Sequence, residues 1–299
     1  MDEENYLMAN PDQAESLRKR YQLENKKNFT QITSNNAYKL AVASGKGGVG
    51  KSNIALNLAI ALHKELDNPN KILLVDADIN LSNLDILLGV NINKNIHHVF
   101  SEGLKIEDII IEHKSGIYLL PATSGSMELL DKEIIAIDRI INVLNILENE
   151  YDIIIFDCAA GIDRFVLDFV RYADEAIIVV APEQTSIIDG YAIIKLISLE
   201  NEGKPINIVI NRYNSSREAN DIYEKLELVI GHFLNANINF LGKIENDLNI
   251  CKAEKQQIPF ILFQSYSGWS RSIRSISSKL YKKYINFKMD QKKIKNIGN

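Results

Sequence analysis

Residues 45–52 read GKGGVGKS, which brings glycines, two lysines and a hydroxyl together in one short segment. The spacing matches the phosphate-binding pattern G-x-x-x-x-G-K-[ST], in which backbone N–H groups surround an anion. We expect Lys51 to contact the β- and γ-phosphates of a nucleotide and Ser52 to bind Mg²⁺. A second lysine, Lys46, implies more phosphate charge than one lysine neutralises, or a phosphate reached from another subunit. The candidate nucleotide-binding residues of this segment are Gly45, Lys46, Gly47, Gly48, Val49, Gly50, Lys51, Ser52 and Asn53.

Aspartates follow two later hydrophobic segments. VDADINLSNLD places Asp76 and Asp78 two residues apart where one strand is expected to end, and YDIIIFDCAAG ends another with Asp157. Ligands of open α/β sheets bind at the carboxyl ends of the strands, so these carboxylates are expected beside the phosphate loop. A carboxylate of the first pair can orient a water toward the γ-phosphate or hold Mg²⁺ through water. Asp157 matches the Walker B pattern, whose carboxylate approaches Mg²⁺.

The elements that must position these residues follow from apolar segments alternating with helical patterns. The alternation predicts an α/β fold of the three-layer P-loop NTPase type, with a mostly parallel central sheet flanked by helices. Strands are expected at Tyr38–Ala43, Lys71–Val75, Ile117–Leu120, Ile153–Phe156, Ala176–Ala181, Ile206–Ile210 and Phe240–Lys243. Helices are expected at Lys51–Leu66, Met127–Glu150, Asp189–Glu202, Ser215–Leu234 and Trp269–Phe287.

The composition narrows the class of protein. A chain of 299 residues with 46% hydrophobic residues can form one large α/β domain with appendages. Its net charge of −5 gives no general attraction to nucleic acid, so we expect no nucleic acid partner. Cys158 and Cys251 are too far apart for a metal-binding pair or a disulfide framework, which fits a reducing compartment. The acidic N-terminus has no signal-peptide pattern and the apolar runs are too short for a bilayer, so we expect a soluble, cytoplasmic protein.

The motifs, in this order, resemble those of the MinD/ParA group of dimerising ATPases, which carry a deviant Walker A loop. The resemblance runs from about Tyr38 to Ser277 and rests on KGGVGKS, DAD followed by NLD, the strand-final D-x-x-x-G and a late NR. It implies ATP and Mg²⁺ as ligands and an ATP-dependent homodimer, in which Lys46 contacts the partner subunit's ATP. It also implies the roles of the remaining residues: Asp78 positions the attacking water, Ser52, Asp78 and Asp157 support Mg²⁺, and Asn211 with Arg212 recognises adenine.

The chain departs from the family pattern at two places. Ala159 stands where a proline often follows the Walker B strand, and Glu245 replaces a proline in a late segment that retains Asp247. Neither change removes a catalytic group, but because of the second the family pattern does not predict the structure of the adenine-side loop. By residue type alone, a turn asparagine is the better interpretation of Asn211.

Three features resemble the FlhG branch of flagellar number and placement regulators. They are Asn53 after Ser52, the segment LPATSGSMEL, and above all DQAESLR at residues 12–18. In that branch the last motif lies in an arm that binds and stimulates a signal-recognition-particle-type GTPase, FlhF. The resemblance therefore implies an FlhF-type GTPase as a partner, with flagellar basal-body ring proteins as further candidates. The candidate partner-binding residues are Asp12, Gln13, Ala14, Leu17 and Arg18.

The two ends of the chain differ from the rest in pattern. Asn10 and Pro11 can open a short helix that places Ala14, Leu17 and Tyr21 on one face, although periodicity alone favours a solvated terminus. Residues 279–299 hold seven lysines against one aspartate, which suits either weak peripheral contact with an anionic membrane or a solvated tail. We expect a partner-binding arm at 1–37, an ATPase domain at 38–287 and a basic tail at 288–299.

Rival classes share parts of these motifs. A division-site MinD would share the core without the arm, and a ParA-type DNA-partition ATPase would bind DNA through a basic surface. An iron–sulfur carrier of the same superfamily would need closely spaced cysteines, which the sequence lacks. A scaffold with an inactive site is disfavoured because Lys51, Ser52, Asp78 and Asp157 are all present.

Overall fold

The computed structural model describes residues 37–65, 71–78, 83–121, 133–201, 203–234 and 236–297. The predicted arm therefore lies outside the described residues, as do most of LPATSGSMEL and the residues directly after Asp78. Within the described chain, strands and helices alternate as expected for an α/β fold. The residues that are not described include all the candidate partner-binding residues, Asp12, Gln13, Ala14, Leu17 and Arg18.

One eight-stranded sheet forms the centre of the described domain. Its strand order is β3-β4-β2-β5-β1-β6-β7-β8, and every neighbouring pair is parallel except the antiparallel β3–β4. The strands are β1 (Tyr38–Ser44), β2 (Ile72–Ala77), β3 (Ile111–Glu112), β4 (Tyr118–Leu120), β5 (Ile153–Ala160), β6 (Glu175–Val180), β7 (Ile206–Tyr213) and β8 (Ile238–Glu245).

Helices cover both faces of the sheet. They are α1 (Lys51–Glu65), α2 (Leu84–Leu88), α3 (Ile96–Glu102), α4 (Glu133–Leu147), α5 (Arg164–Tyr172), α6 (Gln184–Glu200), α7 (Ser216–Leu234), α8 (Ile250–Lys255), α9 (Phe260–Phe263) and α10 (Gly268–Ile297), with a 3₁₀ turn at Ile106–Asp108. One apolar cluster joins a face of the sheet to α1, α9 and α10, and a second joins the other face to α4, α5, α6 and α7. The arrangement confirms the predicted three-layer architecture.

Strand β1 illustrates why the sheet is buried on both sides. All seven of its residues are buried. Leu40 and Val42 belong to the cluster that contains α1, whereas Ala41 and Ala43 belong to the opposite cluster, as the two-residue period of a strand requires. Because the central strands are parallel, the loops that follow β1, β2, β5, β6 and β7 all emerge at the same edge. That edge is where the candidate site must form.

The structure extends or shifts several predicted elements. The seven predicted strands are present, and β3 was missed because it has only two residues. Helix α6 begins at Gln184 rather than Asp189. Helix α10 continues to Ile297, so the expected end at Phe287 is wrong. The reason is local: residues 269–297 contain neither glycine nor proline to stop the helix.

None of the described helices combines the length and apolar character needed to cross a bilayer.

Replacing Trp269 by alanine tests the anchoring of α10. The indole is 1% exposed and packs edge-on against Phe260 in the cluster that holds α1. We expect Trp269→Ala to lower the free energy of unfolding by about 3–5 kcal/mol, measured by urea denaturation. Met289→Ala, at a position 55% exposed on the same helix, is the control and should change it little. Equal effects of the two substitutions would contradict the packing described here.

Candidate nucleotide-binding site

The loop between β1 and α1 is shaped by close contacts on both of its sides. Gly48 and Gly50 have φ values of 76° and 92°, in the left-handed region that favours glycine. A Cβ at Gly50 would lie 2.5 Å from the side-chain nitrogen of Asn211, and one at Gly45 would overlap the carbonyl oxygen of Asp189. The loop can therefore approach its neighbours only because these positions lack a side chain.

The start of α1 presents its N–H groups and a lysine to the space beside the loop. No acidic side chain occupies the first turn of α1, so the positive end of the helix is left for an external anion. Lys51 is buried, and its Nζ lies 3.2 Å from Oδ1 of the buried Asp157. The predicted Walker A lysine and Walker B aspartate are thus brought together.

Burial and charge act in opposite directions on this ion pair. Burial alone would lower the pKa of Lys51, but the charge of Asp157 and the hydrogen bond to it outweigh that effect and raise the pKa above its usual value. Burial raises the pKa of the Asp157 carboxyl, while Lys51 and the Ser52 hydroxyl oppose the rise. The three groups form one electrostatic unit, in which a positive lysine compensates a buried carboxylate.

Asp78 joins this unit from the adjacent strand. Asp76 is paired with Asp157 in the parallel register of β2 and β5, so Asp78 follows directly at the edge of the sheet. The backbone N–H of Asp78 donates to Oδ1 of Asp76 at 3.1 Å. The charge of Asp78 also acts on the pKa values of both Lys51 and Asp157. The structure therefore places Asp78 at a strand end next to the one that carries Asp157, the partner of Lys51.

Lys46 is partly exposed and is held by two residues that the sequence did not predict. Its Nζ donates to the Glu183 carboxylate and, at 2.8 Å, to Oγ1 of Thr185. The hydrogen bond and the charge of Lys46 lower the pKa of Glu183. Glu183 follows β6 at the same edge of the sheet, so the rule that found Asp78 and Asp157 would also have found it.

Asn211 supports the loop from β7. Its Nδ2 donates to the Val49 carbonyl oxygen at 2.7 Å, while its Oδ1 is buried and has no hydrogen-bond partner. Arg212 is exposed and adopts a φ of 62°, which is unusual for a residue with a side chain. Asn211 is therefore placed against the phosphate loop, with one buried acceptor left unsatisfied.

Three other positions singled out in the sequence have side-chain contacts of their own. Asn53 Nδ2 donates to Oε1 of Glu254 at 2.7 Å, so its amide is directed toward α8 rather than toward the loop. Glu245 ends β8, and its carboxylate fills the space that Gly268 leaves at the start of α10. Asp247 Oδ1 accepts from the backbone N–H of Asn249 at 2.9 Å and shapes the following turn. Glu254 carried no sequence signal, because its contact depends on a residue far away in the chain.

The residues present fit a magnesium–nucleotide complex. The glycine loop and the positive end of α1 suit phosphate oxygens. Ser52 and Asp157 supply the hydroxyl and carboxylate oxygens that Mg²⁺ prefers. The buried, unsatisfied Oδ1 of Asn211 suits a donor such as the amino group of adenine.

Comparison with known proteins agrees with this geometry. The sequence model of the AAA domain matches residues 37–210. Over 80% of its length the chain is 32% identical to the antiactivator FleN of Pseudomonas aeruginosa, covering 83% of that protein. Over 79% of its length it is 34% identical to the flagellum site-determining protein YlxH of Helicobacter pylori, covering 78% of it. Over 75% of its length it is also 32% identical to the septum site-determining protein MinD of Bacillus subtilis, covering 81% of that protein. The chain belongs to the MinD/ParA family of P-loop ATPases.

A solved structure of the MinD/ParA family extends this similarity to the fold. The septum site-determining protein MinD of Pyrococcus horikoshii, in complex with Mg-ADP, superimposes with a TM-score of 0.67 and 25% identity. The match covers 82% of this chain and 96% of the MinD chain. Membership of the MinD/ParA family makes the chain an ATPase that uses a nucleotide and Mg²⁺.

Asn211→Ala tests the support of the phosphate loop. The substitution removes the donor to Val49 and leaves that carbonyl without its partner. We expect the dissociation constant for Mg-ADP, measured by calorimetry, to rise about tenfold. Asn214→Ala, at an exposed position three residues later, is the matched control and should leave the constant unchanged. Unchanged affinity in Asn211→Ala would show that the loop does not need this bond.

Proposed function

We propose that this protein is an ATP-dependent dimerising switch that regulates flagellar number or placement. The observation that carries the proposal is the contrast between the two lysines of the phosphate loop, in a chain similar to FleN and YlxH. The Lys51 side chain is buried against Asp157, whereas the Lys46 side chain is 33% exposed and pairs with Glu183. Lys46 could therefore exchange this partner for a phosphate bound to a second subunit.

The substrate site is assigned to the groups gathered at the strand ends. The backbone of residues 45–50 and Lys51 would bind the phosphates of ATP, and Ser52, Asp78 and Asp157 would hold Mg²⁺. Bound Mg²⁺ would neutralise phosphate charge. Asp78 would orient the attacking water, a role that the family resemblance implies and that suits a carboxylate following β2 beside the end of β5. Asn211 and Arg212 bind the adenine.

The dimer uses the face that surrounds Lys46. Two large apolar side chains are exposed on the neighbouring elements: Ile162 after β5 is 49% exposed, and Ile188 on α6 is 65% exposed. An apolar surface next to a cation suits a partner that buries the isoleucines while supplying phosphate charge. In the dimer Lys46 would exchange Glu183 and Thr185 for a phosphate of the partner's nucleotide. We assign that phosphate as the γ-phosphate, so ATP would favour the dimer and ADP would not, because only a ligand that binds two states differently shifts their populations.

Lys46→Ala tests the contribution across the dimer. The substitution removes a cation that binds outside its own pocket, so binding of Mg-ATP to the monomer should stay within about twofold of wild type. Dimerisation in the presence of a non-hydrolysable ATP analogue, measured by light scattering, should be lost. Lys225→Ala, an exposed lysine on α7, should dimerise normally. Normal dimerisation of Lys46→Ala would contradict the role proposed for this residue.

The flagellar role rests on the relatives and on the N-terminal motif. FleN is named an antiactivator and YlxH a flagellum site-determining protein. Residues 12–18 match the arm motif of the FlhG branch, and Gln13 or Arg18 would reach a nucleotide bound to an FlhF-type GTPase. Basal-body ring proteins remain candidate partners of the dimer. The C-terminal part of α10 exposes Met289 and Ile294 among lysines, which suits peripheral contact with an anionic membrane.

A peptide of residues 1–25 tests the arm. It should raise the GTPase rate of an FlhF-type protein, and the same peptide with Gln13 and Arg18 replaced by alanine should not. Phosphate release under multiple turnover measures the rate. If neither peptide has an effect while the full chain hydrolyses ATP, the assignment returns to the MinD/ParA family without a flagellar partner. Division-site regulation and DNA partition are then the alternatives.

A further inference from the structure

The segment after β8 packs against the helix that begins the phosphate site. Ala253, Phe260 and Ile261 are buried in the same cluster as α1. Asn57, fully buried on α1, accepts from the backbone N–H of Ile261 at 2.8 Å and donates to the Asn53 carbonyl oxygen at 2.7 Å. A hydrogen bond as well as apolar packing therefore holds α9 against α1.

A charge-assisted hydrogen bond lies at the end of this contact nearest the phosphates. Asn53 Nδ2 donates to Oε1 of Glu254 at 2.7 Å, and both residues are partly buried. Asn53 directly follows Ser52 in the first turn of α1. A hydrogen bond to an ionised carboxylate away from bulk water is stronger than one between neutral groups. Glu254 therefore ties α8 to the turn that carries Lys51 and Ser52.

The same segment begins beside the residues assigned to adenine. In the β7–β8 register Tyr213 is paired with Glu245, and the backbone N–H of Asn246 donates to the Tyr213 carbonyl oxygen at 3.0 Å. Asn211 and Arg212 immediately precede Tyr213. Residues 246–257 consequently run from the base end of the site to its phosphate end.

The segment also touches the region that follows Asp78. Gly89, at the end of α2, has a φ of 67°, and a Cβ there would lie 2.8 Å from the carbonyl oxygen of Gln257. Gln257 itself has a φ of 55°. Leu84 and Leu88 of α2 are buried in the cluster shared with Ala253. The segment that contains α8 therefore contacts both α1 and the end of α2.

We propose that Glu254 is a positioning residue, which assembles the base end and the phosphate end of the site before the nucleotide binds. Its carboxylate holds Asn53, so residues 246–257 stay fixed against the first turn of α1. Glu254 contacts Asn53 and is not assigned to the nucleotide. The amide of Asn53 serves this bond, which gives a physical role to an asparagine after Ser52. The inference rests on the nucleotide placement in the proposed function.

The test compares a ligand that has a base with one that lacks it. In the full chain, Glu254→Ala and Asn53→Ala should each raise the dissociation constant for Mg-ADP about three- to tenfold. The double variant should lose no more than the larger single effect, because both substitutions break the same bond. The constant for magnesium tripolyphosphate, which has no base, should not change. Glu224→Ala on α7, an exposed glutamate, is the control.

Further measurements separate positioning from general destabilisation. Glu254→Gln retains an acceptor oxygen without the charge, so its loss of Mg-ADP affinity should be smaller than that of Glu254→Ala. Hydrogen exchange of the nucleotide-free protein should speed up in residues 246–257 in either Glu254 variant, with the central strands unaffected.

The possible outcomes are distinct. Equal losses for Mg-ADP and tripolyphosphate, additive losses in the double variant, or unchanged affinities would each overturn the role of Glu254. A wild-type chain that binds tripolyphosphate as tightly as Mg-ADP would instead refute the placement of adenine, and one that binds neither would refute the proposed function.

Discussion

The ion pair between Lys51 and Asp157 is the interaction on which the rest of the site depends. Both side chains are almost fully buried, and either charge alone would be costly in that position. Because Lys51 begins α1 and Asp157 lies in β5, the pair fixes the helix that follows β1 against the neighbouring strand. Asp78 follows β2, which pairs with β5 on the side away from β1, so the sheet register places it near this pair. An anion that binds the loop thus meets groups already held in place.

The loop itself is held from the opposite side by β7 and α6. Asn211 supports Val49, and the carbonyl of Asp189 leaves room only for a glycine at position 45. The Lys46 side chain, by contrast, is 33% exposed and pairs with Glu183. A loop whose backbone is held in place while one of its lysines stays partly exposed can bind a nucleotide in one subunit and still contact a second subunit. The proposed switch needs both properties.

Much of the site could be predicted because its residues occupy strand ends. Lys51, Asp78 and Asp157 each follow or end a recognisable apolar segment, and parallel strands bring such ends to one edge. Glu183 satisfies the same rule but was missed, since it lies between a strand and a helix whose start was placed five residues too late. Glu254 lies in a short helix far from any strand motif, and no local pattern indicates its contact with Asn53. The predicted end of α10 was wrong because it was placed where the apolar spacing weakens, after Phe287. No residue there breaks a helix, so the helix continues.

The sequence by itself determined the chemistry of the phosphate loop, because glycines, lysine and hydroxyl act within eight consecutive residues whose geometry is local. It also determined the layered α/β fold, through the periods of its apolar residues. Only the tertiary structure decided what faces Lys46 and Asn53, whose partners lie 137 and 201 residues away. Those contacts depend on the strand order, which places β6 beside β1, and on α8 packing against α1. The groups in these contacts are far apart in the sequence and are brought together by the sheet and its buried layers. No spacing in the sequence therefore predicts the contacts.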